Sequence, residues 1–595
     1  MPRSSDTPEL QPLVLSGPAR GEGNLKVTAA LVLIALSWVT PFIQPFHAPP
    51  LPAFYSEWLA IALSMAALIC LLCDRGSVSL HWHGPVSLTL VGMAVLILLQ
   101  LLAGMVPYPG IALTAALYLV WAILLMSAAS LLSVRVGCKR TVGVLAVAVC
   151  IAGIASAGVA FAQFLHVSSY YSVLIYPAPD GIHYGNIGQR NHLAHFLALA
   201  VASVVYLDAT RRTGVVTSLL CLALLTLAAA LTASRSFWIY VAGFLVLALL
   251  HIHGRPGDFV ARRVVFLCLS TIFLLVGWNL LLPFLDADGL LQTAVQRIIP
   301  ALEHRPTLWR EAVDMFLSHP FVGVGYGRFG VEHFAMQASG APVVGLSTHA
   351  HNIVLHLAAE CGIAGVFIIL AFAIAVIWRP RWQADGLERW WLLSILLIVA
   401  AHSMVEYPLW YAYFLGIAAI VLGLLLKPRS GVPITRTIRA VLVLAFCGSL
   451  ANMMWTAVSY ARLERVLTIV GLYSDQAYDT FLDGLRDPVL KPHAEWAVAS
   501  VMPVNTADLT YKIRLNDHVM GFMPSDAIAY QRAYLLALSG KRDEALLRLR
   551  EAMTAYPDER VVEMRRLIYL ARSHPLPFLP LLEFLRQDAR SSPPR

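Results

Sequence analysis

The chain is 595 residues long, 58% hydrophobic and only 13% charged, which excludes a soluble globular protein of ordinary type, because water would not tolerate the surface it would present. The formal net charge of +8 is what basic loops set against anionic lipid would give, and it points away from a nucleic-acid partner.

A hydrocarbon core about 30 Å thick takes roughly 20 apolar residues at helical rise. Thirteen such stretches follow in chain order, at 27–46, 56–73, 85–103, 109–132, 141–163, 192–208, 214–233, 236–252, 264–283, 352–378, 390–405, 409–426 and 440–458. The expected fold class is therefore all-α, a polytopic helical membrane protein. Residues 1–26 precede the first span, a transmembrane unit covers 27–460, and a separate region covers 461–595. The first span is too long for a cleavable signal and lacks a small-residue cleavage site, so it should remain as an anchor.

Lys and Arg near span ends are retained on the cytoplasmic side. Arg20 and Lys26 precede the first span; Arg75, then Arg135, Lys139 and Arg140, then Arg211 and Arg212, then Arg255, Arg262 and Arg263 follow alternate spans. Arg379, Arg381 and Arg389, then Lys427, Arg429, Arg436 and Arg439, complete the series. The expected topology has a cytoplasmic N-terminus in a bacterial inner membrane. Its outward segments are 47–55, 104–108, 164–191, 234–235, 284–351, 406–408 and everything after about 459. None of the eight cysteines has an evident outward partner, and the Cys70/Cys73 pair ends an apolar helix, where packing is the plainer reading.

Several outward segments carry polar groups that an apolar chain has no need of. In 180–195, DGIHYGNIGQRNHLAH, Gly185 and Gly188 permit a tight non-helical approach, and Asn186, Gln189, Arg190, Asn191 and His192 crowd donors at the mouth of a helix. Such donors suit an anion, particularly a phosphate; a helix cap with interfacial snorkelling is the bland alternative. Arg235, in the turn Ser234-Arg235-Ser236, is costly at the outer face unless it meets headgroup, water or an anionic ligand. The long loop 284–351 holds Arg297, His304, Arg305, Trp309 and Arg310, with Asp286 and Asp288 in a turn. Residues 306–318 read as an amphipathic helix ended by His319-Pro320 and followed by glycines 323, 325 and 327, which lack the GK[ST] ending of a nucleotide loop.

Thr348-His349-Ala350-His351-Asn352 precedes the next span. The H-x-H spacing is poor for metal, whereas a neutral imidazole suits a general base; interfacial capping is the alternative. Glu406-Tyr407-Pro408-Leu409-Trp410 puts a carboxylate and a phenol where either could orient a histidine or hold a sugar, although Tyr and Trp are also common belt residues. Beyond the last span, 526–559 fits one tetratricopeptide-like hairpin through Ala533, Gly540, Ala545, Ala552 and Pro557. One such unit cannot bury its own apolar face, so flanking helices near 461–485 and 559–588 should pack on it; an ordinary hairpin without a peptide groove serves equally well.

Together these groups suit attack of a hydroxyl on a sugar carried by a diphosphate lipid, with Arg190, Arg235 and Arg305 taking the leaving diphosphate without a metal and a histidine taking the proton. GNIGQRNHLA resembles the signature segment of PglL-type protein O-oligosaccharyltransferases. RPTLWREAVDMFLSHPFVGVGYGRFG followed by HAHNIVLHLAAECGIAG resembles the region shared by O-antigen ligases, Wzy-type polymerases and PglL-type enzymes. The resemblance covers roughly 160–430, and the helical tail is similar to the C-terminal region of the PglL branch.

The resemblance implies a GT-C-like inner-membrane glycosyltransferase, active in the periplasm without metal or cofactor. It would move oligosaccharide en bloc from undecaprenyl diphosphate to Ser/Thr of a protein such as a pilin. Ligation to lipid A core, or repeat-unit polymerisation, is the first alternative. A polysaccharide or lipid transporter is the second, disfavoured because ionisable residues gather at outer helix ends rather than mid-membrane. At matching positions the resemblance implies a base at His349 or His351, with His351 favoured because it precedes Asn352. It puts Arg235 and Arg305 on the diphosphate, Gln189 and Asn191 shaping the donor site, Tyr407 lining that site, and Asn352 and Glu406 at the donor/substrate site. Arg190 stands where proline is common in the branch, and would add a phosphate contact or relax the loop.

Overall fold

The computed structural model describes residues 25–285 and 298–591, apart from 75, 77, 168–170, 172, 179–182, 254–257, 379–381, 466–483 and 485. Asp286, Asp288, Arg297 and most of the expected helix at 461–485 therefore lie outside the described residues.

Each expected span coincides with a helix, because long apolar runs have no other way to satisfy their backbone in lipid. In order these are α1 (Leu25–Ile43), α2 (Phe54–Leu72), α3 (Pro85–Leu102), α4 (Pro109–Val136), α5 (Cys138–Phe164), α6 (Arg190–Ala209), α7 (Val215–Leu231), α8 (Ser236–His253) and α9 (Phe259–Leu285). After α10 (Ile298–Ser318) and α11 (Phe329–Ala338) come α12 (Ile353–Ile377), α13 (Gly386–Ser403), α14 (Ala412–Leu425) and α15 (Arg436–Arg465). Ten of the described helices are long and apolar enough to cross a membrane, while α7 and α14 are shorter apolar helices. The chain is an all-α, multi-pass membrane protein.

Helix α6 is the axis of the bundle. Every residue from His192 to Ala209 is buried, and α5, α7, α8, α9 and α13 surround it, which is why its sequence is apolar on all sides rather than along one stripe. At one end of the bundle the basic loops gather. There β1 (Ser79–Trp82) pairs antiparallel with β2 (Ser430–Pro433), Arg439 donates to the Asp74 and Gly76 carbonyls at 2.8 and 3.0 Å, and Arg263 pairs with Asp208.

The opposite end carries α10, α11 and the polar segments expected to face outward. Helix α10 begins eight residues before the expected start at 306, carrying Pro306 within it; a proline read as a first helical residue sits instead inside an early turn. Helix α12 is broken at Gly362, whose φ of 61° only glycine takes readily. The turn after α10 repairs the break. Val324 N donates to Ala359 O at 2.9 Å and Gly325 N to Glu360 O at 3.1 Å, while Ile363 N donates to Pro320 O at 2.8 Å.

Among the described residues the tail forms six helices, α16 (Lys491–Val501), α17 (Leu509–Met520), α18 (Asp526–Leu538), α19 (Arg542–Ala555), α20 (Arg560–Ser573) and α21 (Pro575–Ser591). The α18–α19 pair is the expected hairpin, with Ala533, Ala545 and Ala552 fully buried and Gly540 at φ +80° between the helices. Leu567 of α20 and Phe578, Leu581 and Leu585 of α21 complete its core. So does Phe334 of α11, which stacks on Tyr556 at 5.9 Å. Tyr108, ahead of α4, donates to Glu495 at 2.6 Å and stacks on His518, so the tail grips the bundle at two places.

Candidate active site

Asn352 caps α12: its Oδ1 accepts from Val354 N and Leu355 N at 3.1 Å each, and its Nδ2 donates to Met404 O at 3.3 Å. The cap fixes where the helix begins and ties it to the α13–α14 connection. The residue before it, His351, takes φ +52°, an uncommon conformation for a side chain of this size. Its Nδ1 thereby lies 2.7 Å from Glu406 Oε2.

Glu406 is the hub. Its Oε1 accepts from Asn191 Nδ2 of α6 at 2.9 Å and from Arg305 Nη2 of α10 at 3.1 Å, and Asn191 Oδ1 in turn accepts from Ser234 Oγ at 2.9 Å. The residue is 5% exposed. Burial pushes its carboxyl up, but the His351 hydrogen bond and the charges of His351, Arg305 and His402 outweigh that and hold it at about 2. An ionised carboxylate only accepts, so Nδ1 of His351 carries the hydrogen, and in the neutral ring Nε2 keeps its lone pair. That imidazole is about one quarter exposed.

His349 sits differently. Its ring stacks on Tyr407 at 4.0 Å and 7°, with His356 at 4.9 Å and Trp410 edge-on at 5.4 Å. Burial, then the charges of His356 and His351, hold it well below the ordinary imidazole value. Its side-chain partner is the Thr348 hydroxyl at 2.9 Å rather than a carboxylate. Tyr407 faces both imidazoles, lying 5.1 Å from His351 at 77°.

Three further expected residues border this network. Arg235 ends the α7–α8 turn and makes no ion pair or side-chain hydrogen bond among the described residues; burial first, and then the nearby Arg305, lower its affinity for its proton. Arg190 opens α6 and is likewise unpaired among the described residues. Gln189 precedes it without capping the helix, and its buried Oε1 has no hydrogen-bond partner among the described residues. Of the other loop residues, His304 Nδ1 meets Val344 O at 3.2 Å and Arg310 is exposed away from Glu406.

Sequence reasoning missed Ser234's support of Asn191 and the buried histidines beneath the hub. Nδ1 of His195 and of His402 lie 2.7 Å apart, so one ring donates and the other accepts, and Tyr413 Oη is 3.1 Å from His192 Nδ1. A histidine within a predicted span was the available signal. Among the described residues no three His, Cys, Asp or Glu side chains converge as a metal-ligand set.

Residues 184–207 match the family described as protein glycosylation ligase, and residues 219–370 match the one described as O-antigen ligase. In these segments the chain is similar to PglL-type protein glycosylation ligases and to O-antigen ligases. A third match, to the C-terminal region of a virulence factor membrane-bound polymerase, covers 390–565. These PglL-type and ligase segments bring together Asn191, Arg235, Arg305 and His351, and the polymerase-like one supplies Glu406 and most of the tail. Among curated relatives, the chain is 26% identical over 251 residues to a general O-oligosaccharyltransferase of Acinetobacter baylyi, covering 41% of this chain and 43% of the relative. It is 26% identical over 264 residues to a ComP-specific O-oligosaccharyltransferase of the same organism, covering 42% and 44%. The chain thus spans less than half the length of the curated relatives it matches.

Proposed function

We propose that this protein is a glycosyltransferase that moves oligosaccharide en bloc from undecaprenyl diphosphate to Ser/Thr hydroxyls of periplasmic proteins such as pilin. The observation that carries the reading is one buried carboxylate, Glu406, holding His351 on one oxygen and Arg305 and Asn191 on the other. The acceptor hydroxyl gives its proton to Nε2 of His351 as its oxygen attacks the anomeric carbon. The bond from that carbon to the diphosphate oxygen breaks, and lipid diphosphate leaves with the electron pair. Glu406 stabilises the imidazolium so formed. Arg235 and Arg190, without carboxylate partners among the described residues, receive the diphosphate charge with Arg305, and Gln189 and Asn191 shape that side. Tyr407 lines the acceptor side and holds His349 as packing.

The same reading puts the protein in the bacterial inner membrane with a cytoplasmic segment at 1–26, the transmembrane catalytic unit at 27–460, and the hub end, the 284–351 loop and the tail at 461–595 in the periplasm. Transfer to a sugar acceptor, as in lipid A core ligation or polymerisation, is the second reading, favoured by the matches over 219–370 and 390–565. Purified protein given a lipid-diphosphate glycan with competing pilin and lipid A core acceptors separates them. Intact-mass addition of glycan to the protein acceptor is expected; addition to core alone would transfer the assignment to the second reading.

A further inference from the structure

Helices α10 and α11 diverge around a cavity of about 580 Å³ that is closed on one side by residues 339–342, the start of the stretch leading to His349 and His351. Three carboxylates line it, Glu311 and Asp314 from α10 and Glu332 from α11, against one lining guanidinium, Arg310. Two acids are partly engaged. Glu332 pairs with Arg328 at 3.1 Å on the helix surface, and Glu311 Oε2 lies 2.5 Å from His333 Nδ1, whose Nε2 donates to Gly345 O at 2.7 Å. The other oxygen of Glu311 is different: the residue is 4% exposed, and its Oε1 has no hydrogen-bond partner among the described residues. Asp314, at the rim, has no ion pair among them either. A buried carboxylate oxygen without a donor is costly, and the residue that carries it lines the cavity.

We infer that this cavity is an acceptor subsite that takes a basic side chain of the polypeptide substrate, a lysine or arginine near the hydroxyl to be modified. The inference rests on the transferase reading above and names its acceptor chemistry. Three observations choose a cation over the alternatives. A diphosphate donor would face three carboxylates, which repel it, and the unpaired arginines that suit it lie at the Glu406 hub. A sugar ring prefers to lay its C–H face on an aromatic side chain, and none of the lining residues is aromatic. The cavity's Thr307 and Glu311 stand on the same helix as Arg305, Glu311 only six residues or about 9 Å of helical rise beyond it, and Arg305 reaches Glu406, so a side chain held here keeps its own backbone near the hub.

The test uses the full-length protein in nanodiscs and two fluorescein-labelled peptides, each with one serine flanked either by lysines or by norleucines. Anisotropy without donor reads binding directly. The lysine peptide is expected to bind roughly fivefold more tightly at low salt. That advantage should collapse in Asp314→Asn/Glu332→Gln, which leaves the Glu311–His333 pair in place, and in Glu311→Gln if its thermal unfolding matches the parent. Equal binding of the two peptides by the parent protein, or an advantage that survives the rim substitutions, overturns the subsite. Transfer is measured separately by intact mass. A protein that glycosylates serine peptides with no regard to lysine sinks the subsite alone; one that shows the lysine preference yet transfers nothing sinks the transferase reading on which the acceptor role rests.

Discussion

At the scale of single residues, two histidines separated by one position have opposite environments, and substitution distinguishes them. His351→Ala removes the proposed base and should lower kcat by roughly 10²–10⁴ while membrane insertion is retained, as is typical of general-base loss. His349→Phe keeps a flat ring against Tyr407 and should cost less than about tenfold, since stacking rather than a proton is what it supplies. Turnover measured on both variants decides the matter; if the phenylalanine variant is the dead one, the base is His349. The same pair gives a pH expectation. Glu406 is held at about 2 against an ordinary 4.5, so its stabilising ionisation is complete above about 4.5 and fades as the pH falls toward 2. His349 is lowered, so below its ordinary value of about 6.5 the unfolded chain binds a proton that the fold does not, and stability falls on acidification there too. The melting temperature in detergent should therefore drop in acid, and His349→Phe should blunt the part of the drop that begins near 6.5; an unaltered profile would place that loss on other groups.

At the scale of elements, the spans were legible because hydrophobic run length alone reports them, and α15 outruns its expected span at both ends, from Arg436 to Arg465 rather than 440–458. The break in α12 was not legible. A glycine in an apolar run looks like any other, and its meaning comes from the Pro320–Gly323 turn some 40 positions earlier pressing against it. A Cβ at Gly362 would lie 2.6 Å from the Phe321 carbonyl carbon and oxygen. Gly362→Ala should therefore destabilise by about 1–3 kcal/mol and displace the turn. Gly277→Ala in α9, where a Cβ meets nothing within 4 Å, should be near neutral. Thermal unfolding of the two variants side by side tests this, and equal melting would mean that the turn yields freely. The site was half legible for a related reason. Polar residues at span ends announced Arg235, Arg305, His351 and Glu406, but that one carboxylate gathers partners 55, 101 and 215 positions away follows from packing.

At the scale of the molecule, the tail is joined to the bundle through groups that also bear on the candidate site. Phe334 of α11 belongs to the tail's core, while Glu332 on the same helix lines the cavity beside the histidine loop. The buried hydroxyl of Tyr108 is held by Glu495 of the tail. Loosening the tail should thus move α11 and the proposed acceptor side, leaving the Glu406 hub, whose partners all lie before residue 407, in its proposed donor role as before. Tyr556→Ala removes the ring that stacks on Phe334, a loss of about 0.5–1.5 kcal/mol beyond its buried area. The expected result is a several-fold rise in KM for a peptide acceptor, with slow hydrolysis of the lipid-diphosphate donor little changed, since a small tilt of α11 reaches the acceptor cavity first. Deleting 491–595 should exaggerate the same asymmetry by uncovering Phe334 and Tyr108 altogether. Parallel assays of peptide transfer and donor hydrolysis read the two sides independently; a matched fall in both would make the tail a support for the whole bundle, and an unaltered KM would detach it from acceptor handling.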